Sequence, residues 1–163
     1  MQLLRRSFAL FALLLACNPN DSTEPLPSAA VALEVQVWSP SLGVNLSAMT
    51  KLPSGIYISD QAVGTGTTLS GTPTVRVFYN GFLANGARFD GNVGGTSPAT
   101  FGLASLIEGW RVGMQGMKVG GKRRLVIPSR LGYGPVAQRD GNGRVLIPAN
   151  SNLIFDIELV GIN

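Results

Sequence analysis

Between residues 106 and 134 the chain gathers one indole, several branched aliphatics and a single phenol. Trp110 and Met114 stand four apart, with Met117 one turn further on. That spacing stacks the three side chains on one face of a short helix. Gly120-Gly121 then stops the helix and turns the chain. From 122 to 128, Arg123, Leu125 and Ile127 alternate with Lys122, Arg124 and Val126. Period two predicts a strand with one buried face. Gly132 and Gly134 bracket Tyr133, so a loop presents one hydroxyl. The stretch has no phosphate loop, no metal-ligand cluster and no nucleophile–base pair, and it implies neither a metal nor a cofactor. The whole chain lacks histidine, the side chain that usually titrates near neutrality. What remains is an apolar cup with one polar handle.

Other elements must hold that cup. Residues 74–82 alternate Val75, Val77 and Tyr79 against Arg76, Phe78 and Asn80, which predicts a strand. Asn85-Gly86 marks a tight turn, and Arg88-Phe89-Asp90 starts the return. Residues 91–98 form a glycine-rich loop, and 100–103 a short strand leading into the helix. Leu153, Phe155, Ile157 and Leu159 share the inner face of a last strand. Upstream, residues 55–60 form a short strand with Ile56 and Ile58 on one side. Residues 39–54 read as a wrapping loop, with one helical turn at 47–50. In 31–38, Val31, Leu33, Val35 and Val37 alternate with Ala32, Glu34, Gln36 and Trp38, as an edge strand or as a clip lying on the domain. Residues 138–143 make a polar excursion. The sum is an antiparallel sheet of about five or six strands with one short helix packed on it, an α+β arrangement.

At 163 residues and 45% apolar, the chain favours a single domain with a real core. Arg5-Arg6 precede an apolar run at 8–16 that is too short to span a bilayer. The run ends Leu14-Leu15-Ala16-Cys17, which resembles a bacterial lipoprotein signal. Residues 1–16 are then a signal peptide, and Cys17 carries the lipid that anchors the protein to a membrane. The alternative is an ordinary secretory signal with a leftover cysteine. Residues 17–30 become the lipidated cysteine and a flexible linker, 31–51 an N-terminal extension, and 52–163 the domain. One cysteine forms no intrachain disulfide. Removing Arg5 and Arg6 takes two from the net charge of +4. Lys118, Lys122, Arg123 and Arg124 make one short cluster without a stacking platform, so nucleic acid is not an expected partner. That cluster reads as a solvated strand edge blunted by charge.

Residues 52–163 resemble the FKBP-type peptidyl-prolyl isomerase family, and with the leader its exported bacterial lipoprotein branch. The resemblance rests on Ile107-Glu108-Gly109-Trp110, the run from Gly113 through Met117-Lys118-Val119-Gly120-Gly121-Lys122-Arg123-Arg124, the strand ending Ile127-Pro128, and Tyr133-Gly134. Three further motifs occur in order: Val77-Phe78-Tyr79-Asn80-Gly81, Gly86-Ala87-Arg88-Phe89-Asp90, and Phe155-Asp156-Ile157-Glu158-Leu159.

The resemblance implies a strongly curved half-barrel wrapped around the helix, with Trp110 as the floor of a pocket. It implies cis–trans isomerisation of X–Pro bonds in exported proteins. The bond's barrier of ~18–20 kcal/mol is amide resonance, so a catalyst needs only to bind the twisted amide better than the planar forms. In that scheme Tyr79, Phe89, Leu106, Ile107 and Phe155 wall the proline ring, and Leu146 and Ile147 line the rim. Ile107 N–H and the Tyr133 hydroxyl bond substrate carbonyls, and Asp90 sits near the bond and orients Tyr79. Periodicity alone leaves Tyr79, Phe89, Trp110 and Phe155 as core residues. Partners are proline-containing clients, with macrolide inhibitors as ligands of the same pocket. The chain departs from the family pattern at Ala99, at Gly94-Gly95, and in a longer loop from 133 to 147. Ala99 and the long loop keep a second function open, a low-turnover chaperone or binding module using the same pocket.

Overall fold

The computed structural model describes residues 29–163. The expected signal peptide, Cys17 and the linker up to residue 28 lie outside them.

Two ten-residue strands form the spine. Strand β3 (Thr74–Leu83) pairs antiparallel with β9 (Leu153–Ile162) from Val75↔Ile162 to Leu83↔Leu153. Both alternate as their sequences require: Val75, Val77 and Tyr79 on β3 and Phe155, Ile157 and Leu159 on β9 are all buried. The far edge of β3 is shared. Strand β5 (Ala99–Gly102) pairs with its first half and β4 (Arg88–Gly91) with its second. On the other side of β9 lie β6 (Lys122–Ile127), β2 (Tyr57–Ala62) and β1 (Thr50–Lys51), each antiparallel to its neighbour. This makes a seven-stranded antiparallel sheet. Register shifts between Asp60 and Ala62, between Arg76 and Val77, and between Gly81 and Phe82 curve it. A separate hairpin of β7 (Gln138–Arg139) and β8 (Val145–Ile147) occupies the polar excursion. Among the described residues no helix is long and apolar enough to cross a membrane.

One helix, α1 (Glu108–Gly113), lies in the concave face. It is shorter than the Trp110–Met114–Met117 spacing predicts. Gly116 adopts φ 76°, which turns the chain before Gly120-Gly121 is reached. Met117 is still buried with Met114, though from a turn. The helix rides directly on β6. A Cβ on Gly109 would stand 2.5 Å from Ile127 Cγ2, and one on Gly113 would stand 2.9 Å from Leu125 Cδ1.

Strand β6 corrects two expectations. It is an interior strand, and two of its three charges, Arg123 and Arg124, are not a solvated edge; only Lys122 is exposed. Arg123 is 6% exposed. Its guanidinium grips Asp60 with two bonds, of 2.6 and 3.0 Å. The same group donates to the carbonyls of Gly113 and Gln115 at 3.0 and 2.9 Å, where α1 leaves acceptors unfilled. Arg124 likewise forks onto Asp156 at 2.6 and 2.7 Å. Nor does β6 have only one buried face. Leu125 and Ile127 enter the main core while Val126, fully buried, points the other way.

The cover over Val126 is the N-terminal extension. Residues 31–38 form no strand. They contain a single 3₁₀ turn, Leu33–Val35, and only Leu33 is buried among the four alternating apolar residues. Val35 and Val37 are 72% and 85% exposed, so the alternation has no sheet edge behind it. The stretch is the clip lying on the domain. Two more 3₁₀ turns follow, Pro40–Leu42 and Leu46–Ala48, the second near the expected helical turn. Leu33 and Leu42 pack on Tyr57, Val126 and Ile154, with Trp38, Leu46 and Phe82 at the margin. Polar contacts hold the layer down. Lys51 and the Tyr57 hydroxyl both donate to Glu34, at 2.7 and 2.8 Å, and Arg124 donates to Leu42 C=O.

Candidate functional site

The concave face and α1 enclose a cleft of about 440 Å³, counting its open mouth. Trp110, in the first turn of α1 and 4% exposed, is its floor. Three rings meet the indole edge-on: Phe155 at 5.3 Å, Tyr79 at 5.4 Å and Phe101 at 6.2 Å between centroids. Phe89 stands edge-on to Phe155 at 5.5 Å, and Tyr79 to Phe101 at 5.8 Å. Perpendicular packing of this kind sets the positive edge of one ring against the negative face of another, and it fixes the rings' orientation. Leu106 and Ile107 complete the apolar wall just ahead of α1.

Glycines make the box possible. A Cβ on Gly81 would fall 2.6 Å from Phe89 Cζ and 2.8 Å from Phe155 Cε1, so only glycine lets both rings lie over β3. Gly91 combines φ 146° with a Cβ position 2.6 Å from Tyr79 C=O, which holds β4 close against β3.

The polar side of the cleft is made by Asp90 and two tyrosines. Tyr79 O–H donates to Asp90 Oδ2 at 2.7 Å, and Gly91 N–H donates to Asp90 Oδ1 at 2.7 Å. Burial raises the Tyr79 phenol well above its ordinary pKa, and the Asp90 carboxylate that accepts its hydrogen bond raises it further. Tyr133 is raised too, by burial first and then by the charge of Asp90, to which it makes no hydrogen bond. Both phenols are therefore protonated donors at neutral pH. Tyr79 is already engaged, whereas the Tyr133 hydroxyl has no protein partner among the described residues. Ile107 is the N-cap of α1. Its carbonyl accepts from Trp110 and Arg111, while its own N–H meets no acceptor among the described residues.

Of the residues singled out in the sequence, Tyr79, Phe89, Asp90, Leu106, Ile107, Trp110, Tyr133 and Phe155 all line this one cleft. Leu146 and Ile147 do not. The alternation of β8 turns Ile147 into the main core at 4% exposure and Leu146 outward at 37%. Two residues escaped the sequence reading. Phe101 lines the cleft from β5, and its position two after Ala99 on an alternating strand was the available signal. Asn92 ties the loop after β4 to β3. Its Oδ1 accepts from Tyr79 N–H at 2.8 Å and its Nδ2 donates to Val77 C=O at 3.2 Å. Nothing in the sequence marks it.

Comparison with known proteins agrees with this arrangement. The sequence profile of the FKBP-type peptidyl-prolyl cis-trans isomerase family matches residues 66–160, more than half of the chain. The chain is 40% identical to FK506-binding protein 4 of Gibberella zeae over 154 residues, covering 93% of this chain and 28% of that one. It is 41% identical to the FKBP-type isomerase FkpA of Aeromonas hydrophila over 109 residues, covering 67% of this chain and 38% of that one. Thus the chain spans well under half the length of either relative. Its fold matches the crystal structure of a peptidyl-prolyl isomerase from Pseudomonas syringae with a TM-score of 0.62 and 36% identity, covering 71% of this chain and 80% of that one. A curved antiparallel sheet around a short helix, a profile match across the cleft's residues and a solved structure of the same shape lead to one conclusion: the chain belongs to the FKBP-type peptidyl-prolyl cis-trans isomerase family.

Proposed function

We propose that the cleft isomerises X–Pro bonds. The observation that carries this reading is the ring box on Trp110, sharing its cleft with an unengaged, protonated Tyr133 hydroxyl. A prolyl ring lies on the indole, within the edges of Tyr79, Phe101 and Phe155. The amide before it lies against Tyr133 and Ile107 N–H. Twisting that amide removes its resonance and reduces its dipole, so an apolar wall opposes the twisted form less than the planar one. The two donors bond carbonyls that flank the twist, and binding stronger there than in the ground state lowers the barrier. No covalent bond forms or breaks, and no proton changes hands. Asp90 acts through Tyr79, holding its hydroxyl and thereby the ring beside the indole. The test is cis–trans turnover on a series of proline tetrapeptides by residues 18–163. Absence of turnover with an intact fold would refute the reading.

The Gibberella relative is named as an FK506-binding protein. We propose that FK506 fills the same cleft here and competes with peptide. We further propose that the protein acts on exported polypeptides and is anchored by lipid on Cys17, which the sequence Leu14-Leu15-Ala16-Cys17 supports. Cys17→Ser should give uncleaved precursor or soluble protein, and mature Cys17→Ser protein that still partitions with membranes after a high-salt wash would contradict the anchor.

A second reading is a binding module with little turnover. It draws on exposed Val136, Val145 and Leu146, which follow Tyr133 in the chain. Client binding that survives Tyr133→Phe while turnover falls would separate the two activities.

A further inference from the structure

Asn152 is 3% exposed, one of the few polar side chains so buried among the described residues. Each of its polar atoms is used. Its Oδ1 accepts from Ser129 N–H at 3.0 Å. Its Nδ2 donates to Val31 C=O at 2.8 Å and to Gln36 Oε1 at 3.0 Å, both in the N-terminal clip. Ser129, itself buried, passes the link on. Its carbonyl accepts from Gly132 N–H and from Gly134 N–H, at 2.9 Å each. Gly134 C=O then accepts from Asn150 N–H at 2.6 Å. Tyr133 stands between the two tethered glycines. Gly132 also lies on β9, where an added Cβ would come 3.0 Å from Leu153 Cδ1.

Tyr133 sits in no strand and no helix; apart from a long bond to its carbonyl from Val136 N–H, at 3.3 Å, these bonds are what fix its backbone. They run without a gap from the clip, through one amide side chain, to the residue that offers the cleft its free hydroxyl. We propose that Asn152 is a positioning residue through which the segment at residues 31–36 sets where Tyr133 stands in the cleft. The inference rests on the isomerase reading for its effect on rate. Without Asn152, the Ser129 N–H is left buried with no acceptor, a penalised state that the loop relieves by moving. A hydroxyl displaced by about 1 Å loses much of its contribution to a positioned reaction. The clip would then be part of the cleft's machinery although it lies on the opposite face of the sheet.

Two measurements on the full chain test this. In the first, Asn152→Ala lowers kcat/KM about tenfold alone but has no further effect in a Tyr133→Phe background, since residues acting as one unit are not additive. In the second, amide hydrogen exchange at Gly132 and Gly134 speeds up about tenfold in Asn152→Ala, beyond any change in β3 that global destabilisation explains. Gln36→Ala removes one of the two clip bonds and should show the same pattern about threefold. It carries the test should Asn152→Ala fail to fold. Additive losses in the double mutant, or exchange at Gly134 no faster than in β3, would overturn the proposal. Wild-type protein without turnover would sink the isomerase reading, and the exchange result would still decide the link.

Discussion

Tyr133 and Trp110 line the same cleft, and substitution should separate what they do. Trp110→Ala removes a buried ring that three others touch, so it should cost ~3–5 kcal/mol of stability and collapse the cleft. Tyr133→Phe deletes one hydroxyl with no protein partner among the described residues, so Tm should stay while kcat/KM falls roughly tenfold. Equal thermal destabilisation by the two changes would contradict this division. The pH profile follows from the same residues. The chain has no histidine, and both phenols are raised above their ordinary value of ~10. The rate should therefore be flat from about pH 5.5 to 8.5, with a solvent isotope effect near one. A raised phenol favours the fold below its unfolded pKa, and that contribution is lost as pH rises through the folded value, above ~10. A bell centred near pH 7 would mean that an unidentified titrating group takes part. At this scale the sequence was most legible where a motif fixed a residue's neighbours, as at Tyr79, Asp90 and Trp110. It was least legible where the outcome depended on the direction of a short hairpin, as at Leu146 and Ile147.

Among the elements, β6 and α1 show what a periodic pattern cannot say. Alternation located β6 correctly. It could not tell that both faces would be covered, because the cover comes from the clip some eighty residues earlier in the chain. The same pattern was misleading in 31–38, where apolar alternation occurs without an edge to pair with. Arg123 is the hinge of the α1–β6 unit, since one guanidinium satisfies a carboxylate and two helix-end carbonyls. Arg123→Lys should destabilise the fold by about 2–3 kcal/mol, because an ammonium cannot replace the planar fork and leaves buried acceptors open. Chemical denaturation decides it, and a loss under ~0.5 kcal/mol, the range of ordinary surface changes, would show the fork to be dispensable. Gly81→Ala tests the β3 side of the cleft. Overpacking against Phe89 and Phe155 should cost roughly 1–3 kcal/mol and weaken peptide binding more than a distant change of equal cost.

For the molecule as a whole, the sheet carries two apolar layers, and each holds one of the two tryptophans. Trp110 belongs to the inner layer and Trp38 to the margin of the outer one. The outer layer has its own pH response. The bonds from Lys51 and then Tyr57 lower the Glu34 carboxyl to about 2 from an ordinary 4.5. A depressed carboxyl stabilises the layer above its unfolded pKa, and the contribution is lost as pH falls from about 4.5 through 2. Trp38 emission, isolated in Trp110→Phe protein, should report loosening in that window, and Glu34→Gln should abolish the pH step. An unchanged step in Glu34→Gln would place its origin elsewhere.

The order of strands also governs when the molecule can exist. Strand β9, the last of the sheet to be synthesised, lies in its middle, between β3 and β6. Until residues 153–162 arrive, the two halves of the sheet share no strand, though α1 touches both. Folding must then wait for a closure spanning some eighty residues of chain, which makes it a late, non-local and comparatively slow event. A nascent chain stopped before Leu153 should remain protease-sensitive throughout, whereas the full chain should acquire resistance in one step. While its sheet still waits for residues 153–162, such a chain is unfolded, the state in which a polypeptide can be threaded through a membrane channel.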